Sequence, residues 1–122
     1  MILVDTSVWI EHLRRRDPVL ETALNACEVL MHPFILGELA CGNLKRRAEV
    51  LSLMHELPQA PVVTEHEALG FIEHRKLMGR GIGYVDVHLL ASAVLTGIAS
   101  LWTRDRRLAD LADDLGCAFV SH

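Results

Sequence analysis

Four acidic side chains stand where apolar, strand-like runs give way to helical patterns. Asp5 ends the run "ILV" at the start of the chain, and Asp105 follows the run "SLWT" at 100–103. Both acids are therefore expected just beyond the carboxyl ends of buried strands. In open α/β sheets, ligands bind at that edge.

The other two acids are predicted on helices that begin at the same edge. Residues 83–97 are apolar nearly all round, which indicates a buried helix running antiparallel to the strand at 100–103. Asp86 lies in the first turn of this helix, where a carboxylate suits the helix dipole, and should return close to Asp105. Glu38 lies one turn into the helix that follows the second strand, and helical side chains lean toward the N-terminus.

Each acid alone has a structural explanation. Asp5 or Asp105 could cap a helix, Asp86 could be a dipole partner, and Glu38 could be an exposed surface residue. Four carboxylates at one edge repel one another, and a divalent cation reverses that cost. Ligands that are all oxygen atoms favour Mg²⁺ or Mn²⁺ over zinc. The four acids also equal the formal net charge of −4, so two cations would neutralise the site.

The apolar runs alternate with helical patterns, which predicts an α/β domain with a parallel sheet covered on both faces. The 122 residues match one domain, spanning 1–122. The predicted strands are residues 1–5, 28–31, 60–63, 100–103 and 118–120. The glycine-rich segment "GRGIG" at 79–83 is predicted to be a flexible loop leading into the buried helix.

The composition limits where the protein can reside and which kinds of partner it can bind. No apolar stretch approaches the roughly 18 residues of a membrane span, and the first residues lack the features of a signal peptide, so a soluble cytoplasmic protein is expected. All 12 Lys and Arg residues fall in four clusters, at 14–16, 45–47, 75–80 and 104–107. Such clusters can contact phosphates or pair with neighbouring acids.

The sequence resembles the PIN-domain ribonucleases, specifically the VapC-like toxins of toxin–antitoxin pairs. The matching pieces are "ILVDTSVWIEHL", "GELACG", "GYVDVHLLASAV" and "LWTRDRRL", in the order typical of the family. The resemblance implies a sandwich with a short, mostly parallel sheet flanked by helices. It also implies an RNA-cleaving endonuclease that uses Mg²⁺ or Mn²⁺.

Carried onto this sequence, the resemblance makes Asp5, Glu38, Asp86 and Asp105 the catalytic acids. Asp5, Asp86 and Asp105 are the expected metal ligands, while Glu38 either binds metal or orients water. The resemblance adds the supporting hydroxyls of Thr6, Ser7 and Thr103. From their position, Thr6 and Ser7 are also expected to cap the first helix. Arg104, Arg106 and Arg107 either contact RNA or pair with acids such as Asp110.

The resemblance further implies a VapB-like antitoxin partner, whose segment lies in a groove and blocks the acidic site, and a homodimer. Three alternatives stay open from the sequence: a housekeeping PIN nuclease of RNA maturation, a non-catalytic PIN regulatory module, and a phosphoryl-transfer domain with Asp5 as nucleophile. All four acids are present, which disfavours the regulatory module. Ser7 stands where the phosphoryl-transfer domain would need a second Asp, which disfavours that alternative.

Overall fold

A short parallel sheet forms the centre of the molecule. The computed structural model describes residues 1–97 and 99–120. Its sheet has three strands in the order β2-β1-β3, all parallel. The strands are β1 Ile2–Val4, β2 Val29–Leu30 and β3 Ser100–Trp102. The predicted α/β architecture with a parallel sheet flanked by helices is confirmed.

Seven helices surround the sheet in the part of the chain that the structure describes. They are α1 Thr6–Arg14, α2 Pro18–Asn25, α3 Pro33–Cys41, α4 Arg47–His55, α5 Glu65–Arg75, α6 Tyr84–Thr96 and α7 Arg106–Asp114. Pro18 and Pro33 begin α2 and α3, where a missing backbone N–H costs nothing. Gly97 ends α6 in the left-handed conformation that glycine adopts without strain.

Helix α6 is the most deeply buried helix and sets the position of Asp86. Seven consecutive residues of α6, from Val87 to Ala93, are buried. They pack in the same core as Leu3 and Leu101 of the sheet. Because the helix is apolar nearly all round, it can be covered on every side. The sequence prediction of a buried helix over 83–97 is confirmed.

Two of the predicted strands are wrong. Residues 60–63 and 118–120 form no strand. The first segment only follows an isolated parallel bridge of Gln59 with Met31, and the second makes one isolated parallel bridge, through Ala118 to Leu101. Pro58 and Pro61 bracket the first bridge. Proline has no N–H to donate, so the ladder cannot continue there. The second segment pairs only with Leu101, the central residue of β3.

No helix among the described residues is both long enough and apolar enough to cross a membrane. The buried side chains of the sheet and of the helices form one cluster that includes residues from β1, α3, α6 and α7. That residues 1–122 form a single domain stays a prediction.

Candidate active site

The four acids predicted from the sequence lie at one edge of the sheet. Asp5 follows β1, Asp105 follows β3, Asp86 is the third residue of α6, and Glu38 lies on α3. Burial raises the pKa of Asp86, and the negative charges of Asp5, Asp105 and Glu38 raise this pKa further. A carboxyl group responds to three other acids in this way only when they share its surroundings. The structure therefore brings the four predicted residues together.

Asp5 is the most buried of the four and is held by two hydroxyls. Its side chain is 7% exposed. The Ser7 and Thr103 hydroxyls both donate to Oδ2 of Asp5, over 2.9 Å and 2.7 Å. Each hydroxyl in turn accepts a backbone N–H, Ser7 from Arg104 and Thr103 from Asp105, both at 3.0 Å. This network fixes the Asp5 carboxylate and ties the first helix to the end of β3.

The first helix is not capped as the sequence suggested. Thr6 and Ser7 are the first two residues of α1, so the prediction that they cap this helix is wrong. Their hydroxyls instead turn toward acids, and Thr6 donates to Oε1 of Glu38 over 2.7 Å. Asp5 occupies the N-cap position, but its side chain makes no capping hydrogen bond. Both hydroxyls therefore support the acidic site, as the resemblance implies.

Asp105 and Asp86 each use one oxygen to stabilise a helix start. Oδ1 of Asp105 accepts the N–H of Leu108 at 3.0 Å, which caps α7. Oδ2 of Asp86 accepts the N–H of Gly83 at 3.2 Å, just before α6. Each of these two acids can therefore stabilise a helix start and still belong to the acidic cluster, because its carboxylate has a second oxygen available.

The donor chemistry of the cluster fits a hard divalent cation. All four groups are carboxylates, and such oxygen donors suit Mg²⁺ or Mn²⁺. In the described part of the chain, no three or more His, Cys, Asp or Glu groups are already arranged as a metal site. Mg²⁺ keeps several of its waters and needs only one or two carboxylates from the protein. A cation held in this way would take most of its coordination shell from water.

The three arginines around Asp105 differ in their surroundings. Arg104 pairs with Asp17 at 3.0 Å, and not with Asp110. Arg106 and Arg107 form no ion pair within residues 1–97 and 99–120. Arg104 is therefore partly neutralised by the protein, whereas the other two keep their full charge at the rim of the acidic edge.

One contact of Arg107 was not foreseen from the sequence. Its guanidinium lies over Gly81 so closely that a Cβ added at Gly81 would stand 2.7 Å from an Arg107 nitrogen. Gly81 also has a φ of +79°, a conformation that favours glycine. The sequence predicted only a flexible loop at "GRGIG" and carried no signal for a contact with Arg107.

Known proteins resemble this chain over most of its length. The model of the PIN domain family matches residues 2–114. The chain belongs to the PIN domain family. It is also similar to the protein named Ribonuclease VapC32 from two strains of Mycobacterium tuberculosis, CDC 1551 / Oshkosh and ATCC 25618 / H37Rv. In each case 51% of 120 residues are identical, covering 98% of this chain and 97% of the relative.

The PIN-domain match covers all three strands and every helix that carries one of the acids. Residues 2–114 include β1, where Asp5 ends the strand, and reach the end of α7, which Asp105 caps. This match and the 51% identity to Ribonuclease VapC32 together confirm the resemblance to VapC-like PIN-domain toxins. The four acids all lie inside the matched region.

Proposed function

We propose that this chain is the endoribonuclease toxin of a VapBC-type toxin–antitoxin pair and that it hydrolyses RNA phosphodiester bonds with the help of Mg²⁺ or Mn²⁺. The observation that carries the proposal is the placement of four carboxylates at one edge of the sheet, where Thr103 contacts both Asp5 and the backbone of Asp105, and Thr6 contacts Glu38. The 51% identity to Ribonuclease VapC32 over nearly the full length of both chains supports RNA as the substrate.

Asp5, Asp86 and Asp105 are the proposed metal ligands. Asp5 is the central one, because its Oδ2 is held by two hydroxyls and its orientation is therefore fixed before any cation binds. Glu38, oriented by the Thr6 hydroxyl, either binds metal or positions the attacking water. A bound Mg²⁺ or Mn²⁺ would lower the pKa of a water molecule and stabilise the negative charge that develops on the phosphate.

Purified protein incubated with a pool of cellular RNAs and Mg²⁺ or Mn²⁺ tests this function. Sequencing of the new RNA ends is expected to show cuts at a restricted set of sites. Expression in growing cells is expected to arrest growth, and co-expression of a cognate VapB-like antitoxin should relieve the arrest. Cleavage without growth arrest would instead favour a housekeeping nuclease, and no cleavage of any RNA would favour a regulatory module.

Arg106 and Arg107 are the proposed contacts to RNA phosphates. Both lie at the start of α7, directly after Asp105, and neither is engaged in an ion pair in the described residues. Arg104 is the weaker candidate, since Asp17 already accepts from its guanidinium. Positive groups beside a cluster of four acids would offset the repulsion between these acids and an approaching phosphate.

Gly81→Ala is expected to weaken RNA cleavage by displacing Arg107, whereas Gly79→Ala is not. Both glycines have a positive φ, +79° and +70°, so each substitution should cost about 1 kcal/mol of stability. Only at Gly81 would the new Cβ meet the Arg107 side chain, while at Gly79 nothing lies within 4 Å. We expect equal urea midpoints for the two variants and a higher KM for Gly81→Ala alone.

The double variant Gly81→Ala with Arg107→Ala decides whether Gly81 acts through the arginine. If it does, Gly81→Ala adds no further rise in KM once Arg107 is gone. Arg107→Ala should also reduce the salt dependence of RNA binding by about one phosphate contact. Equal KM values for Gly79→Ala and Gly81→Ala would contradict the proposed role of Arg107.

The antitoxin is proposed to bind in the groove that runs from Glu38 along α1 and α3. This groove has a volume of about 620 Å³. Its walls are apolar at Ile10, Leu13 and Leu44, and Glu38 lies within its lining. Arg14 and Lys45 add positive charge at the groove. An amphipathic segment with acidic residues would complement these walls and would cover the acidic site at the same time.

Leu13→Asp is expected to weaken antitoxin binding without reducing RNA cleavage. Leu13 is exposed and lines the groove, so a charge there costs the fold little but opposes an apolar partner. We expect at least a tenfold loss of affinity, about 1.4 kcal/mol, measured by titration calorimetry with the purified antitoxin. The matched control is Leu53→Asp, an exposed leucine on α4 outside this groove. Equal affinities for the two variants would place the antitoxin elsewhere.

A homodimer and a cytoplasmic location remain part of this proposal. Sedimentation of the purified chain tests the first, and fractionation of cells that carry the gene tests the second. An RNA-cleaving toxin must reach RNA, so a cytoplasmic location follows from the proposed activity. A monomer at all concentrations tested would contradict the homodimer while leaving the nuclease proposal intact.

A further inference from the structure

A second groove, lined in part by the helices that carry Glu38 and Asp86, holds two of the few aromatic residues. Six residues of the chain are Phe, Trp or Tyr. Trp9 and Phe71 are buried in the core. Phe34 and Tyr84, in contrast, are 36% and 45% exposed, and both line one groove of about 400 Å³. We call this groove, with His88 and Leu69 in its lining, the aromatic groove.

The aromatic groove adjoins the acids through the two helices that carry them. Phe34 lies four residues before Glu38, so the two share one face of α3. Tyr84 is the first residue of α6, two residues before Asp86. A nucleotide whose phosphate lies at the acids could therefore place its own base, or that of its neighbour, in the groove.

His88 is a polar group without a partner in this groove. It is only 4% exposed, and its Nδ1 has no hydrogen-bond partner in the part of the chain that the structure describes. The rings of Phe34 and Tyr84 stand edge-to-face against its imidazole, with centroids 4.7 Å and 4.6 Å away. Buried polar atoms are normally paired, so a ligand with a polar edge would satisfy this nitrogen.

We propose that the aromatic groove binds the base of a nucleotide beside the cleaved bond, an inference that rests on the proposed ribonuclease function. A base has flat apolar faces that stack on aromatic rings, and a polar edge that can pair with the free nitrogen of His88. A phosphate is disfavoured there, because Glu65 lies on the rim and would repel it. The groove thereby contributes to the choice of cleavage site.

RNA without the base tests the proposal. The preferred site found in the pool of cellular RNAs is made as a short RNA, together with versions lacking one base on either side of the cleaved bond. We expect the parent protein to cleave one of these abasic RNAs about tenfold less efficiently, the effect of losing one stacked base. Tyr84→Leu, which removes the ring but keeps an apolar side chain, is expected to cleave the intact RNA about tenfold less efficiently.

The two losses should not multiply, because removing the ring and removing the base each abolish the same stacking contact. Tyr84→Leu should therefore cleave the abasic RNA as well as the parent does. Tyr84→Phe, which keeps the ring, should restore cleavage of the intact RNA. Leu95→Ala, at an exposed leucine near the other end of α6, should match the parent on both RNAs.

Losses that multiply, or no loss on either abasic RNA, would overturn the proposal. Sedimentation separates it from contact with a second copy of this chain. If Tyr84→Leu and Phe34→Leu turn a dimer into a monomer, the groove is an interface and the proposal is overturned. Failure of the parent to cleave any RNA would overturn the proposed function as well, so the two failures are distinguishable.

Discussion

Asp5→Asn is expected to lower the rate of RNA cleavage by more than about a hundredfold, because loss of even a supporting partner of a metal ligand typically costs ten- to a hundredfold. Asp5 is the acid with the most elaborate support, two hydroxyls that are themselves held by backbone N–H groups. Asparagine keeps the shape and an accepting oxygen for both hydroxyls but lacks the negative charge. Cleavage of a defined RNA under single-turnover conditions measures the effect.

The fold of the Asp5→Asn variant should be intact, since Ser7 and Thr103 can still donate to the amide oxygen. Circular dichroism and urea unfolding check this point. Asp110→Asn is the matched control, an exposed acid on α7 outside the cluster, and should cleave like the parent. Cleavage by Asp5→Asn at the rate of the parent would show that the acidic edge is not the active site.

Removal of divalent cations is expected to abolish cleavage and to lower the thermal stability of the protein. EDTA should stop the reaction, and excess Mg²⁺ or Mn²⁺ should restore it. A cation that binds only the folded chain stabilises this state in proportion to the logarithm of its concentration. The melting temperature should therefore rise when Mg²⁺ is added at neutral pH. Cleavage that persists in EDTA would exclude the metal-dependent mechanism.

This stabilisation should depend on pH through Asp86. Burial and the charges of Asp5, Asp105 and Glu38 raise the pKa of Asp86 in the folded state. A carboxyl group whose pKa is raised by folding favours the folded state at low pH. That contribution is lost as the pH rises through the raised pKa. The increase in melting temperature on adding Mg²⁺ should therefore be large at neutral pH and vanish once the acids are protonated.

The pH dependence should be measured on the difference between the melting temperatures with and without Mg²⁺. Burial lowers the pKa of His32 to about 4, so acid by itself also destabilises the fold as the pH falls below the ordinary histidine range. This effect is the same with and without the cation, and it cancels in the difference. A shift in melting temperature that does not change with pH would contradict the assignment of the cation to the acidic cluster.

Asp86→Asn distinguishes the repulsion between Asp86 and the other three acids from the part that Asp86 plays in catalysis. The amide can still accept the N–H of Gly83, so the start of α6 is preserved. Without Mg²⁺ the variant should be more stable than the parent at neutral pH, by no more than about 1 kcal/mol, because solvent screens a half-buried charge. It should nevertheless lose cleavage. A variant that loses stability instead would indicate that Asp86 has a structural role.

The location of the acids could be predicted because Asp5, Asp86 and Asp105 lie at boundaries that are visible locally, and Glu38 lies on the helix that follows the second strand. Asp5 ends an apolar run, and Asp86 stands in the first turn of a helix that has apolar residues on nearly every face. Strand ends and helix starts of a parallel sheet meet at one edge, so placing these boundaries also places the acids. That these acids bind metal and cleave RNA stays a proposal.

Strands with few pairing residues were harder to predict. The segments at 60–63 and 118–120 have the composition of strands, but a single bridge forms at each place, through Gln59 just before the first segment and through Ala118 in the second. Apolar composition reports that a segment is buried. Whether the segment also pairs as a strand depends on whether a sheet edge with several unpaired backbone groups lies next to it in the fold.

What the sequence determined by itself is therefore the α/β class, the buried helix α6 and the acids at one edge, because these follow from periodicity along the chain. Only the tertiary structure decided the partners of individual atoms. Thr6 meets Glu38, Ser7 meets the backbone of Arg104, and Gly81 meets Arg107 across the fold. Such contacts join residues far apart in sequence, and local periodicity fixes which side is buried but not which side chain lies opposite.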